Sequence, residues 1–249
     1  MKHKFISSKM KKGKPLLNDH VLSRHVPETH WYHNATLTMM LRAFPVLYIK
    51  PDKGSSGTGI IRVKRLNSSK SLISFKATSK MCPNTSIVSE VVKRMRRDKK
   101  YIIQQGIALA TYRNKPFDLR IVLQKPSDRW LLTWMSAKVA PRSNSIVTNV
   151  AKGARDARIK EILRGADQPL NVSRVLKKLS RVSYKVARKL GSYFPLRIVG
   201  LDMGIDKKGK VWFIEANTKP SFHGLKKFDP VQYRRYLHAK KRIEARSQK

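Results

Sequence analysis

Gly200-Leu201-Asp202-Met203-Gly204-Ile205-Asp206 and, a turn later, Trp212-Phe213-Ile214-Glu215-Ala216-Asn217 decide how this chain is read. Arg197 to Gly204 and Lys210 to Ala216 both have strand character, and Asp206-Lys207-Lys208-Gly209 between them is turn chemistry. An antiparallel hairpin is expected. Residues two apart on a strand share a face, about 7 Å from one another, so Glu215 and Asn217 project together. The turn folds Asp202 back to within a residue or two of Glu215. Three oxygen-bearing side chains on one face suit Mg²⁺, which takes hard oxygen ligands and leaves positions for phosphate. The same spacing also fits an exposed hairpin with solvated acids.

The composition gives this clustering weight. The 249 residues hold 55 Lys and Arg against 15 Asp and Glu, a net charge of +40, and Asp202, Asp206 and Glu215 come from that small acidic set. Hydrophobic residues make up 41%, which excludes a disordered basic tail as the whole chain. No apolar run reaches the roughly 18 residues of a membrane span, and Met1 to Lys14 lacks the apolar stretch of a signal peptide. Cys82 is the single cysteine, so no internal disulfide forms, and no Cys/His cluster has zinc spacing. These features predict a cytoplasmic protein with an anionic partner: nucleic acid, nucleotide, acidic polymer or membrane surface.

Outward from the hairpin, the pattern is mixed. Residues 1–12 read as a basic tail and 226–249 as a basic helix or tail. Pro15 to Arg24 and Met39 to Phe44 suit short helices, and Ser86 to Arg97 a longer one. Asn171 is placed to cap a helix with the stripe Val175, Leu176, Leu179, Val182, Val186 and Leu190, and Gly191 to end it. Strands are expected at Val46–Ile49, Ile60–Val63, Leu72–Phe75, Tyr101–Leu109, Leu119–Gln124, Trp130–Val139 and Ile146–Val150. Antiparallel strands interleaved with helices indicate an α+β fold.

Other segments offer chemistry. Gly54-Ser55-Ser56-Gly57-Thr58-Gly59 joins two strands as a glycine-rich hairpin tip. Such a loop can lay backbone N–H groups over phosphates, with Lys50 as a point charge beside it, or it is simply a turn. It is not a Walker A loop, since Ile60 stands where that motif needs lysine. Asp118 and Arg120 share a face of a strand otherwise apolar at Leu119, Ile121 and Leu123, either as an internal ion pair or beside a nucleotide. Thr148 to Gly153 reads as a turn or a phosphate contact. The helix face Arg174, Lys177, Lys178, Arg181, Lys185, Arg188 and Lys189 is a solvated surface or a polyanion contact.

Taken in order, these pieces resemble the ATP-grasp superfamily, and within it the YheC/YheD-like endospore coat-associated family. The resemblance runs over residues 13–225. It is carried by Gly13-Lys14, Val26-Pro27-Glu28-Thr29, Tyr48-Ile49-Lys50-Pro51 with the glycine loop, and Ile103-Gln104-Gln105-Gly106-Ile107. Phe117-Asp118-Leu119-Arg120, Asn149 to Gly153 and the carboxylate hairpin complete it. It implies two α+β subdomains clamping ATP, with a glycine-loop lid subdomain at about 45–105. Lys14 and Lys50 would contact phosphates, with Gly54, Ser55, Ser56, Gly57, Thr58 and Gly59 above them. Gln104, Gln105, Gly106 and Ile107 would flank the adenine, and Asp118 the ribose. Asp202, Glu215 and Asn217 match the ligands of Mg²⁺ (or Mn²⁺). Arg120, Asn149 and Lys152 match positions that hold phosphates or an acyl phosphate, Arg120 and Lys152 being the candidate catalytic pair.

The implied reaction is carboxylate–amine (or thiol) ligation through an acyl phosphate, on an acidic peptide or polymer. The pattern departs from the family in two ways. Only thirteen residues precede Lys14, so the usual N-terminal domain is expected to be absent, and Lys152-Gly153-Ala154 stands where relatives often have Arg-Gly-Gly. The alternative is a non-catalytic spore protein binding nucleic acid or another polyanion on the same scaffold.

Overall fold

The computed structural model describes residues 3–54, 57–146, 153–222 and 224–247. Its first part runs α1 (Lys9–Leu17), β1 (Thr29–Trp31), α2 (Asn34–Ala43), β2 (Val46–Pro51), β3 (Ile61–Arg65), β4 (Lys70–Phe75), β5 (Thr78–Pro83), α3 (Ile87–Val92) and β6 (Tyr101–Gln105). The second runs β7 (Thr111–Tyr112), β8 (Lys115–Gln124), β9 (Leu131–Val139), β10 (Arg155–Ala157), α4 (Ile159–Arg164), α5 (Val172–Tyr193), β11 (Ile198–Ile205), β12 (Val211–Asn217), α6 (Leu225–Phe228) and α7 (Pro230–Ser247). The strands form two six-stranded sheets, ordered β1-β6-β2-β3-β4-β5 and β10-β9-β8-β11-β12 with β7 on β8. The described pairings are antiparallel, so the α+β expectation holds.

Each sheet has one apolar face with its own helices. Leu47, Ile49, Ile61, Val63, Ile73 and Ile103 pack on α2 and α3. Leu119, Ile121, Leu123, Leu201 and Phe213 pack on the stripe Val175, Leu179, Val182, Val186 and Leu190 of α5. Burying such faces is the main driving force for this arrangement. Strand alternation then dictates what the opposite faces carry: Tyr48 and Lys50 on β2, and Asp118 and Arg120 on β8. The polar faces of the two sheets line the space between them.

Several local expectations are met and others corrected. The Asn171 side chain accepts from Arg174 N at 2.9 Å, the expected cap. Gly191 does not end α5, which continues to Tyr193; a Cβ there would meet Trp130 at 3.0 Å, so this glycine admits the indole. The start of the chain is not a frayed tail, because Ile6 is buried in the main core. The helix expected at Pro15–Arg24 lies earlier, at Lys9–Leu17, with Ser8 as its cap. Of Ser86–Arg97 only Ile87–Val92 is α-helical. Strands β1, β5, β7 and β10 are additional, and the strand expected at Ile146–Val150 lies outside the described residues apart from Ile146.

Candidate functional site

Between the polar faces is a cleft of about 380 Å³. From the first sheet it takes Tyr48, Lys50, Arg62, Gln104 and Gln105; from the second, Asp118, Arg120, Lys138, Asp202, Glu215 and Asn217. Gly54, Gly57, Thr58 and Ile107 also line it. Gly54, Gly57 and Gly59 have φ of 130°, 65° and 75°, a region that disfavours any side chain, which is why this loop is glycine-rich. Gly59 stands outside the cleft lining, against Pro51. Gly106 also falls outside it: its N–H donates to Val46 O, and a Cβ would meet Val46 Cγ1 at 2.6 Å. That glycine serves close strand packing. Ser55, Ser56, Asn149 and Lys152 lie outside the described residues.

Lys50 is buried, and its ammonium donates to Gln104 Oε1 at 2.6 Å. Gln104 Nε2 in turn donates to Thr29 Oγ1 at 3.0 Å, which fixes the amide. Burial pushes Lys50 down to about 8, with Lys9 adding to the effect and Glu215 and Asp202 opposing it.

The carboxylates converge as the hairpin spacing implied. Asp202 and Glu215 are directly paired across β11 and β12, and Asn217 Nδ2 donates to Asp202 Oδ2 at 3.0 Å. Each acid has its own cations. Asp202 Oδ1 lies 3.1 Å from Arg120 Nε and 3.5 Å from Lys138 Nζ. This oxygen is buried and faces both cations without a hydrogen bond. Burial would raise the Asp202 pKa, but Arg120, Lys138 and the Asn217 hydrogen bond together outweigh it and hold the carboxyl below its usual range. Glu215 Oε1 lies 3.9 Å from Lys9 Nζ and 4.0 Å from Lys12 Nζ.

Helix α1 brings a correction. Lys14 is exposed and does not line the cleft; the cleft's lysine from this helix is Lys9. Residues 9, 12 and 16 share a helix face through their i+3 and i+4 spacing, whereas 14 lies on the other side. Leu16 is fully buried and sets that face inward. Lys9 Nζ also donates to Pro51 O and Gly54 O, both at 3.0 Å, tying the glycine loop to Glu215. Lys12, only 4% exposed, has its pKa lowered by burial despite Glu215.

Lys9, Lys12 and Lys138 were not singled out from sequence. A lysine inside the otherwise uncharged Trp130–Val139 segment was the available signal for Lys138. Asp206 belongs to the turn, accepting from Lys208 N, Lys210 N and Trp212 Nε1, each at 2.9 Å.

Comparison with known proteins agrees with this fold. A family model described as YheC/D-like ATP-grasp matches residues 1–241. The endospore coat-associated protein YheD of Bacillus subtilis (strain 168) is 31% identical over 190 residues, which is 72% of this chain but 40% of the relative's length. D-cycloserine synthetase DcsG aligns with a TM-score of 0.55 at 13% identity, over 95% of this chain and 70% of its own. N5-carboxyaminoimidazole synthase from Aspergillus clavatus, solved with ADP and 5-aminoimidazole ribonucleotide, aligns at 0.50 with 13% identity, over 88% and 46%. Among the described residues no helix is long and apolar enough to cross a membrane.

Proposed function

The chain belongs to the YheC/D-like ATP-grasp family, and from that membership and its cleft we propose that it is an ATP- and Mg²⁺-dependent ligase joining a carboxylate to an amine or thiol. The observation that carries this reading is the meeting of Lys9, Lys50, Arg120 and Lys138 with Asp202, Glu215 and Asn217 in one cleft beneath a glycine loop.

The donor set fits a hard divalent cation. It offers two carboxylates and an amide oxygen, and Asp202 Oδ1 is buried without a hydrogen bond. Among the described residues no three His, Cys, Asp or Glu side chains gather as a metal cluster, so the set depends on Asn217 for its third oxygen. When bound, Mg²⁺ would neutralise phosphate charge and help align the β- and γ-phosphates. Lys50 and Lys9 hold the phosphates from the first sheet and α1, under the backbone of Gly54, Gly57 and Thr58. Gln104, Gln105 and Ile107 flank the adenine, and Asp118 the ribose. Arg120 and Lys138 face the transferred group from below, with Asn149 and Lys152 assigned to the same end.

In the reaction a substrate carboxylate oxygen attacks the γ-phosphorus, the bond to the β-phosphate oxygen breaks, and ADP leaves. The acyl phosphate is then opened at its carbonyl carbon by an amine or thiol, which gives up its proton as inorganic phosphate departs. These residues act by alignment and charge neutralisation, which explains why the site needs no Ser or Cys nucleophile. The positive excess supports an anionic acceptor such as an acidic peptide or polymer, and the likeness to YheD supports a place in sporulation. The test incubates the protein with MgATP and candidate carboxylates and amines, following phosphate release and ligated product by mass spectrometry. Absence of ATP binding at millimolar nucleotide overturns the reading.

A further inference from the structure

The cleft does not absorb the +40 charge, and a second concavity gathers part of it. Between α7, β9 and α5 lies a groove of about 500 Å³ that shares no lining residue with the cleft. Its floor is Leu131, Leu132 and Ala239, and Arg234, Arg235 and Arg242 stand along its rim. Arg234, His238 and Arg242 recur every four residues, so one face of α7 presents them together, and all three are exposed. Leu131 is 42% exposed, leaving apolar surface open beside the cationic rim. Among the described residues no Asp or Glu lines the groove, and Glu244 of α7 is paired with Lys240.

The groove's strand is closed to further pairing. Strand β10 covers β9 only at Ala137 to Val139. Beyond that, the Leu132 amide donates to the Tyr184 hydroxyl at 3.1 Å. The Gln232 side chain accepts from Met135 N at 2.7 Å and donates to Met135 O at 3.2 Å. Side chains thus occupy edge groups that an added strand would use, so a ligand here is recognised through side chains.

We propose that this groove binds an acidic polypeptide segment, its aliphatic side chains on Leu131, Leu132 and Ala239 and its carboxylates on the three arginines. The charged side chains among the described lining residues are arginines, whose planar fork matches carboxylates in a way lysine does not. Single-stranded nucleic acid also pairs with arginine but needs aromatic stacking platforms. This floor is aliphatic, and Tyr184 is the one aromatic side chain among the described lining residues.

The test uses the full chain and a short labelled peptide of Glu, Asp and Leu, with a Glu/Ser peptide and an oligothymidine of equal length as comparisons. The leucine-bearing peptide is expected to bind best. Replacing Arg234, Arg235 and Arg242 with Ala should weaken it roughly tenfold, and Leu131→Asp should weaken it as well. Oligothymidine binding should be little changed by either. Peptide affinity unchanged in both variants overturns the proposal, as does a larger loss for oligothymidine than for peptide. Retained MgATP binding reports that the variants fold. Should the triple variant not fold, Arg235→Gln and hydrogen-exchange protection at 131–133 on adding peptide to the unaltered chain decide the matter. Protection with weakened Arg235→Gln binding supports the groove, and its absence overturns it.

Discussion

The Lys50 ammonium and the Gln104 side chain form a buried 2.6 Å hydrogen bond on the cleft face of the first sheet. Gln104 thereby positions a cation that burial holds down at about 8 rather than its ordinary 10.5. Below pH 8 the folded state carries the cost of keeping that amine protonated, and the cost fades as pH rises toward the unfolded value. The stability of the unaltered protein, measured against Lys50→Met by denaturant unfolding, should therefore improve between pH 7 and 10. The relative gain should be on the order of 2–3 kcal/mol. A flat difference across that range would remove the assignment.

Nucleotide binding should show the opposite dependence on pH. Phosphate oxygens favour the protonated amine, so ATP affinity should fall as pH rises above 8, with proton uptake on binding. Calorimetry in buffers of different ionisation enthalpy measures that uptake directly. Lys50→Ala should lose roughly tenfold or more in affinity at pH 7, by loss of a charge-assisted contact of about 1.5–3 kcal/mol.

Lys9 and Lys14 make a sharper contrast. Lys9 reaches Pro51 O, Gly54 O and Glu215, while Lys14 faces solvent from the other side of α1. Lys9→Ala should weaken ATP by about tenfold, again the size of one charge-assisted contact, and Lys14→Ala should leave it nearly unchanged. Equal losses in the two variants would restore Lys14 as a phosphate contact.

That contrast also shows what the sequence could and could not reveal. The carboxylate hairpin was legible because strand alternation and a four-residue turn fix the pairing of Asp202 with Glu215 almost without tertiary information. The apolar stripe and Asn171 cap of α5 were legible for the same local reason. Lys9 was hidden because six lysines fall within the first fourteen residues, and only the inward-facing Leu16 sets the helix phase. Strand β5 was hidden differently. Thr78 to Pro83 is almost wholly exposed and carries no apolar alternation, so only pairing with β4 makes it a strand. Gly191 looked like a helix stop because its real partner, Trp130, lies sixty residues away.

Asp202 and Glu215 should differ in what their loss does. Asp202 balances the cations of Arg120 and Lys138, so Asp202→Asn should lower stability by about 1–3 kcal/mol as buried positive charge goes uncompensated. Glu215 stands farther from its cations, 3.9 Å from Lys9 and 4.0 Å from Lys12, so Glu215→Gln should cost less stability than Asp202→Asn. Both should abolish the increase in ATP affinity expected when Mg²⁺ is added to the unaltered protein. Titrating ATP with and without Mg²⁺ checks this, and an intact Mg²⁺ effect in both variants would exclude these carboxylates as ligands.

Gly200 lies beneath the same network, where a Cβ would meet Pro220 Cβ at 2.7 Å and Arg120 Nη1 at 3.1 Å. The proline ring has little freedom to move aside, so in Gly200→Ala the backbone must shift to relieve the 2.7 Å approach, and the neighbouring arginine should yield with it, lengthening its 3.1 Å contact with Asp202. Overpacking of this kind costs about 1–3 kcal/mol, and MgATP affinity should fall with it. Gly13→Ala is the matched control. A Cβ at Gly13 meets nothing within 4 Å, and the position lies inside α1, where alanine is favoured over glycine by about 1 kcal/mol. Thermal unfolding should therefore move in opposite directions for the two variants. A Gly200→Ala protein that keeps both its melting temperature and its MgATP affinity would show that Arg120 is not held by this contact.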